Sequence, residues 1–298
     1  MASISVVINT LNEEKNLSRA LSSVKNFADE IVVVDMESQD RTVELAKKAG
    51  AKVYSHKKTG YVEPARNFAI GKTTSDWIFI LDADEEVSTD LAKKIVKIVK
   101  DNNSKDFYRI PRKNIVFGKW LKHSRWWPDY NIRLFRKGSV VWSELIHSVP
   151  ETHGTGEDLP DLEKYSIVHH HYTSITQYLE RMLRYTSVQA EDLVRSGYVF
   201  SWQDLIRRPN AEFLSRFFAG EGYKDGVHGL VLSCLQAFSE LVLVVKVWEI
   251  QKFRDEEINK KTLDDTFKRA EFEQDHWLAS KKIRKYSLSD RLLRKLLR

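Results

Sequence analysis

Apolar, β-branched runs alternate with amphipathic stretches along the first 110 residues. SISVVINT, EIVVVD, AKVYSH and WIFILD each read as buried strands, because Val, Ile and Phe dominate them and polar residues bound them. Between them, NLSRALSSVKNFA, DRTVELAKKAG and PARNFAIGK carry apolar residues at helical spacing. These are Leu17, Ala20, Leu21 and Val24 in the first and Val43, Leu45 and Ala46 in the second. Strands alternating with helices of this length predict an α/β fold with a mostly parallel, two-sided sheet and right-handed crossovers. Gly50, following Lys47 and Lys48, is placed to close the second helix. STDLAKKIVKIVKD predicts a fourth helix with Ser88 or Thr89 as its N-cap.

The fourth strand runs into Asp82-Ala83-Asp84-Glu85. In open α/β sheets, ligands bind outside the C-terminal strand ends. Two carboxylates one residue apart at that edge suit a divalent cation bridging to phosphate oxygens, although such a pair also occurs in plain solvated loops. Asp35 ends the second strand as Asp82 ends the fourth. Its carboxylate could accept from the N–H of a base or from ribose hydroxyls, or it could cap the next helix, for which Ser38 and Asp40 also stand ready. LNEEKN follows the first strand, so neither GxGxxG nor GxxxxGK[ST] is present. That argues against a dinucleotide-binding Rossmann site, a P-loop and a sugar-1-phosphate nucleotidyltransferase.

SVVINTLNEEKNL, IVVVDMESQDRTVELAKKAGAKV, ARNFAI and DWIFILDADEEV, in that order, closely resemble the family 2 glycosyltransferases, nucleotide-sugar-dependent enzymes of the GT-A fold. WWPDYNIRLFRKG, VVWSELIHSV and IVHHHYTS extend the resemblance towards lipopolysaccharide-core β-glucosyltransferases, over roughly residues 3 to 250. The resemblance implies transfer of a sugar from a UDP-sugar to an acceptor hydroxyl with inversion, assisted by Mg²⁺ or Mn²⁺, in lipopolysaccharide-core or other cell-surface glycan synthesis. It puts Thr10, Asn12 and Glu13 around the nucleotide, Asp35 on the base and Arg66 near the base or diphosphate. Asp82 falls on the ribose or metal and Asp84 on the metal.

Such enzymes often carry a late histidine at the metal or diphosphate, and His169-His170-His171 lies where it would fall. Strand alternation sends His169 and His171 to one face and His170 to the other, and His171 is taken as the partner of Asp84. Inversion also requires a general base for the acceptor hydroxyl. The candidates, in order, are Asp129, His147 and Glu144. Two departures stand out: Met36-Glu37-Ser38-Gln39-Asp40 replaces the usual small-residue stretch, and Ser148 stands where the subgroup often has Glu. A non-catalytic scaffold of the same fold and a polyprenyl-phosphate sugar transferase are the alternative readings.

Three regions are expected: a nucleotide-sugar-binding α/β half at 1–110, an acceptor-binding half at 111–172 and a helical region at 173–298. The middle one is dense in aromatics and cations. Trp120, Trp126, Trp127 and Trp142 could stack on sugar faces or simply fill a core, and the Arg side chains suit an anionic acceptor. In the last region, SITQYLERMLRYTSVQAEDLVRSG places Leu179, Met182, Leu183, Ala190 and Leu193 on one stripe. GLVLSCLQAFSELVLVVKVWEI is the most apolar stretch, and Gln236, Glu240 and Lys246 interrupt it, favouring a buried or interfacial helix over a transmembrane span.

The net charge is +6 with pI near 9.1. No nucleic-acid motif accompanies it, so an anionic membrane surface or phosphorylated acceptor fits better than nucleic acid. KKIRKYSLSDRLLRKLLR joins leucines to a basic face and reads as a membrane-surface helix, or as a packing or oligomerising one. A single cysteine, Cys234, and a first strand that begins at once fit a cytoplasmic protein at the inner membrane face. The partners expected are a UDP-sugar and a lipid-linked or saccharide acceptor, and the C-terminal helices could support a homo-oligomer.

Overall fold

The computed structural model describes residues 2–58, 63–142 and 150–281. Two compact units are present: residues 1–120 with 126–171, and residues 121–125 with 172–298.

The first unit is built on one sheet. Strands β1 (Ile4–Thr10), β2 (Glu30–Asp35), β3 (Lys52–Ser55) and β4 (Trp77–Ile80) pair in parallel in the order β3-β2-β1-β4. Helices α1 (Leu17–Val24), α2 (Thr42–Lys48) and α3 (Glu63–Gly71) provide the crossovers. Because both faces are covered, every residue of β4 is buried, and successive residues of β1 serve opposite cores. Val6 and Ile8 pack with Leu17, Leu21 and Ala46 from α1 and α2, whereas Val7 packs with Ala69 from α3.

The sheet changes character after β4. The remaining strands are β5 (Glu85–Val87), β6 (Phe107–Val116), β7 (Lys119–Trp120), β8 (Asp129–Arg136), β9 (Val140–Val141), β10 (Glu151–Thr152), β11 (Gly156–Asp158) and β12 (Ile167–Tyr172), and α4 spans Thr89–Lys100. The main order continues β4-β8-β6-β12-β5, with β4–β8, β6–β8 and β5–β12 antiparallel. The continuous parallel run expected from the sequence is therefore confined to its first four strands, since no helical crossover separates β6 from β8; beyond it β11 pairs parallel with β6. The segment Leu81–Asp84 carries the chain from β4, in the middle of the sheet, to β5 at its far end.

Local signals hold where short-range chemistry decides. Ser88 caps α4, its Oγ accepting from the Leu91 N–H at 3.2 Å, and Gly50 ends α2 at φ +83°. At the end of the sheet away from Asp35, the buried Glu30 accepts from the Lys52 ammonium at 2.7 Å, from the Thr74 N–H at 2.8 Å and from the Ser5 hydroxyl. Burial alone would raise its pKa, but the bonds from Lys52, Ser5 and Thr74 outweigh that and lower it from 4.5 to about 2. A carboxyl depressed in the folded state contributes stability that is complete above its unfolded value and is lost as pH falls through its folded value. The window here runs from about 4.5 down to about 2. Glu30→Gln is therefore expected to lower stability at pH 6 by up to about 3 kcal/mol, with the difference from wild type closing across that window. Urea midpoints measured against pH test this; parallel curves would refute it.

The second unit is helical: α5 (Ile175–Arg195), α6 (Asp204–Leu214), α7 (Val227–Ile250) and α8 (Lys260–Ser280). Ala190, Phe200, Trp202, Leu243, Val244 and Val247 form its main buried cluster. The buried face of α5 is Tyr178, Met182, Thr186 and Ala190, rotated from the expected stripe so that Leu183 is 48% exposed. The difference arises because Tyr178 and Thr186, polar by letter, are buried with bonded hydroxyls: Tyr178 accepts from Gln236, and Thr186 donates to the Met182 carbonyl.

Candidate functional site

Three arginines and three carboxylates meet where β4 ends. Arg133, on β8 and 2% exposed, donates through Nη2 to Asp82 at 2.7 Å and to the fully buried Glu85 at 2.6 Å. Arg66 on α3 donates to the other Asp82 oxygen at 3.1 Å, with its guanidinium 5.7 Å from the Trp142 ring. Glu85 also accepts the Asp82 N–H at 2.9 Å, which fixes the turn between β4 and β5. Arg112, on β6, lies 3.6 Å from Glu85 and donates to Asp129 at 2.6 and 2.9 Å.

The electrostatics follow from this placement. Burial pushes the Asp82 carboxyl upward, but the Arg133 and Arg66 charges override it and hold Asp82 well below the usual carboxylate range. Glu85 moves the other way, because its own burial, helped by the Asp82 charge, outweighs Arg133 and raises it. For Asp129, burial is outweighed by Arg112 and by the Asn114 amide, so that carboxyl is lowered.

Beside this network, Asp84, His169 and His171 offer ligand atoms that all lie within 4.8 Å of one another. The backbone sets the cluster. β12 pairs antiparallel with β5, and the His170 N–H donates to the Asp84 carbonyl at 2.9 Å. Alternation then turns His169 and His171 to one face, while His170 reaches Glu86 at 3.3 Å on the other. His169 is buried, its Nε2 3.4 Å from Asp84 and 3.1 Å from His171 Nδ1.

A chain of hydrogen bonds fixes the His169 ring. Asn114 donates its amide hydrogens to the Trp126 carbonyl at 2.9 Å and to Asp129 at 3.1 Å, so its oxygen faces His169 Nδ1 at 2.7 Å. Both of the amide's acceptors lack protons, which orients the amide. Nδ1 must then carry a hydrogen, which leaves Nε2, directed at Asp84 and His171, as the ring nitrogen available to a cation. A carboxylate with two imidazoles so presented fits a divalent transition cation.

The residues after β1 and β2 form a second group. Asp35, 4% exposed, accepts from Thr10 Oγ1 at 2.9 Å and from the Ser38 hydroxyl and N–H at 2.6 and 2.9 Å. Asn12, at φ +57°, accepts the Gln39 N–H at 2.8 Å and donates its own N–H to Ser38 Oγ at 2.8 Å. Glu13 accepts from Asn16 Nδ2 at 2.9 Å. Asp35 thus closes its own turn, and the two loops are stitched together at the C-terminal ends of adjacent strands.

Asp129, at the start of β8, joins the Arg112–Asn114 network, and Asn131 Nδ2 lies 3.2 Å from its other oxygen. Glu144, His147 and Ser148 lie outside the described residues. Trp142 is buried in the core, Trp120 and Trp127 pack edge to face at 5.2 Å, and Trp126 lies 5.7 Å from the His171 ring. Sequence reasoning missed Glu85, Arg112, Asn114 and Arg133 and did not single out His169. The one available signal was alternation, which pairs His169 with His171.

Residues 5–150 match the family described as Glycosyl transferase family 2. An uncharacterized glycosyltransferase of Rickettsia typhi is 35% identical over 260 residues, covering 84% of this chain and 88% of its own. The lipopolysaccharide core biosynthesis glycosyltransferase LpsC of Rhizobium meliloti is 24% identical over 261 residues, 83% of this chain and 92% of its own. Among solved structures, glucosyl-3-phosphoglycerate synthase of Mycobacterium tuberculosis aligns over 37% of this chain and 44% of its own, at 22% identity and a TM-score of 0.32.

Proposed function

The chain belongs to glycosyl transferase family 2, and from that premise we propose that it moves a sugar from a UDP-sugar to an acceptor hydroxyl with inversion, using a divalent cation held by Asp84, His169 and His171. The fold is GT-A and the activity is glycosyl transfer. The observation that carries the reading is the Asp84–His169–His171 cluster beside ionised Asp82, at the C-terminal strand edge.

Mg²⁺ or Mn²⁺ held there would supply positive charge for the leaving diphosphate, and two imidazoles beside one carboxylate favour Mn²⁺. Asp82, held as an anion by Arg133 and Arg66, is assigned to the ribose or the cation, and Arg66 to the diphosphate edge. Asp35 with Thr10 is assigned to the uracil, with Asn12 and Glu13 shaping the loop around the nucleotide.

Asp129 is assigned a positioning role in place of general base. One of its oxygens already takes two bonds from Arg112 and one from Asn114, and that Asn114 amide orients His169. Deprotonation of the acceptor then falls to Glu144 or His147. The likeness to LpsC supports a cell-surface glycan as product, hence a saccharide or lipid-linked acceptor reached at the inner membrane face.

Two measurements test the donor reading. UDP-sugar hydrolysis should require Mn²⁺ or Mg²⁺, and UDP should raise the melting temperature more than ADP or GDP. Asp35→Asn replaces a charge-assisted acceptor and should cost roughly 1.5–3 kcal/mol of UDP affinity. Equal stabilisation by the three diphosphates would overturn the uridine assignment, and hydrolysis indifferent to chelation would overturn the cation.

A further inference from the structure

Helix α7 is apolar on two sides. Leu232, Leu243, Val244 and Val247 are buried within the second unit, and three polar side chains also reach neighbours there. Gln236 donates to the Tyr178 hydroxyl at 2.8 Å, Glu240 accepts from Arg208 at 2.7 Å, and Lys246 donates to Ser187 at 2.8 Å. The opposite side is apolar and open: Val227 is 74% exposed, Val231 36%, Phe238 47% and Val245 41%. At 3.6 residues per turn these four lie on one line, with Gln236 and Glu240 on the far side. Only 28% of the most apolar window of α7 is buried. From Val227 to Val245 the helix rises about 27 Å with no charged residue on that outer line, and the exposed Glu249 follows it.

What covers this face is indicated by where the charge lies. Residues 282–298 hold seven Lys or Arg against the single Asp290, which accounts for the whole net charge of +6. That segment departs from Lys281, whose ammonium lies 3.9 Å from Glu221 and 5.9 Å from the Tyr223 ring centre, just before Val227 begins the open face. An apolar line and a strongly cationic segment therefore start from the same place. Anionic lipid satisfies both the apolar line and the cations, whereas the same apolar face on a second copy offers the cations no partner.

We propose that the outer face of α7, from Val227 to Val245, is a lipid-contact surface that lies in the interface of an anionic bilayer, with residues 282–298 neutralised by its headgroups. The helix lies flat, since its inward Glu240–Arg208 and Lys246–Ser187 contacts tie it along its length to α6 and α5. This deepens the membrane contact proposed above and rests on it, but is independent of the donor assignment.

The test is co-sedimentation of the full-length protein with vesicles of 3:1 zwitterionic to anionic phospholipid, and with purely zwitterionic vesicles, at low and at 0.5 M salt. Wild type should bind the anionic vesicles at low salt and release at high salt. Val231→Asp with Phe238→Asp, both at exposed positions, should weaken binding at least tenfold while UDP-sugar hydrolysis is unchanged. Truncation after Lys281 should weaken it similarly. Wild-type binding by the double variant would overturn the proposal. So would failure of wild type to bind, or a dimer in light scattering that the double variant abolishes. Retained hydrolysis separates any of these from failure of the donor reading.

Discussion

Asp84→Ala is expected to reduce turnover on the order of 10³-fold while moving the melting temperature by no more than about 2 °C. The asymmetry follows from position. Asp84 stands at the rim of the network, its side chain 15% exposed and its carboxylate 3.4 Å from His169 Nε2. Removing it takes the carboxylate from the cluster and leaves the two imidazoles alone, a poor set for a hard divalent cation. The core around β4 and β5 keeps every apolar contact. Asn114→Ala should act in the same direction but more gently, lowering Mn²⁺ affinity about 10–100-fold by releasing the His169 tautomer. Titration of Mn²⁺ by electron paramagnetic resonance, beside single-turnover rates, checks both. Wild-type transfer by Asp84→Ala in Mn²⁺ would sink the ligand assignment.

Arg133→Met should do the reverse and strike the fold first. Arg133 is the shared partner of Asp82 and Glu85, and its guanidinium is almost wholly buried. Deleting one member of a buried charge network strands the others, at a cost of about 3–5 kcal/mol, or roughly 10 °C in melting temperature for a unit of this size. The deficit should shrink as pH falls, because the stranded carboxylates then take up protons and the uncompensated charge disappears. Thermal melts of wild type and variant from pH 7 to pH 4 check this. A deficit that is constant with pH would mean that lost packing, and not stranded charge, destabilises the variant.

These two residues also mark what the sequence could and could not disclose. Asp84 was legible because two carboxylates one residue apart, Asp82 and Asp84, close a run of buried Ile and Phe and are out of keeping with it. Local rules likewise found the parallel strands, the Ser88 cap and the turn at Gly50. Arg133 was not legible, since in DYNIRLFR it reads as one more surface cation on a strand. Its burial depends on β8 inserting between β4 and β6, a pairing between segments far apart in the chain. Glu85 fails for a related reason: within DADEE it looks solvated, and only the passage of the chain to the far end of the sheet buries it. Asn114 carries no mark at all until Trp126, Asp129 and His169 converge on its amide.

The pairing of β12 with β5 has a temporal consequence. The carboxylate ligand emerges from the ribosome with the first third of the chain, but both imidazoles arrive some 85 residues later, beyond position 150 where the family match ends. A nascent chain can therefore display the acidic motif and its strand without any capacity to chelate. Chelation by all three proposed ligands would await pairing of β12 with β5, a long-range contact of the kind that forms slowly. Loading with Mn²⁺ would in that case report that the sheet is assembled, and chains that stop short of His171 would not compete for the ion.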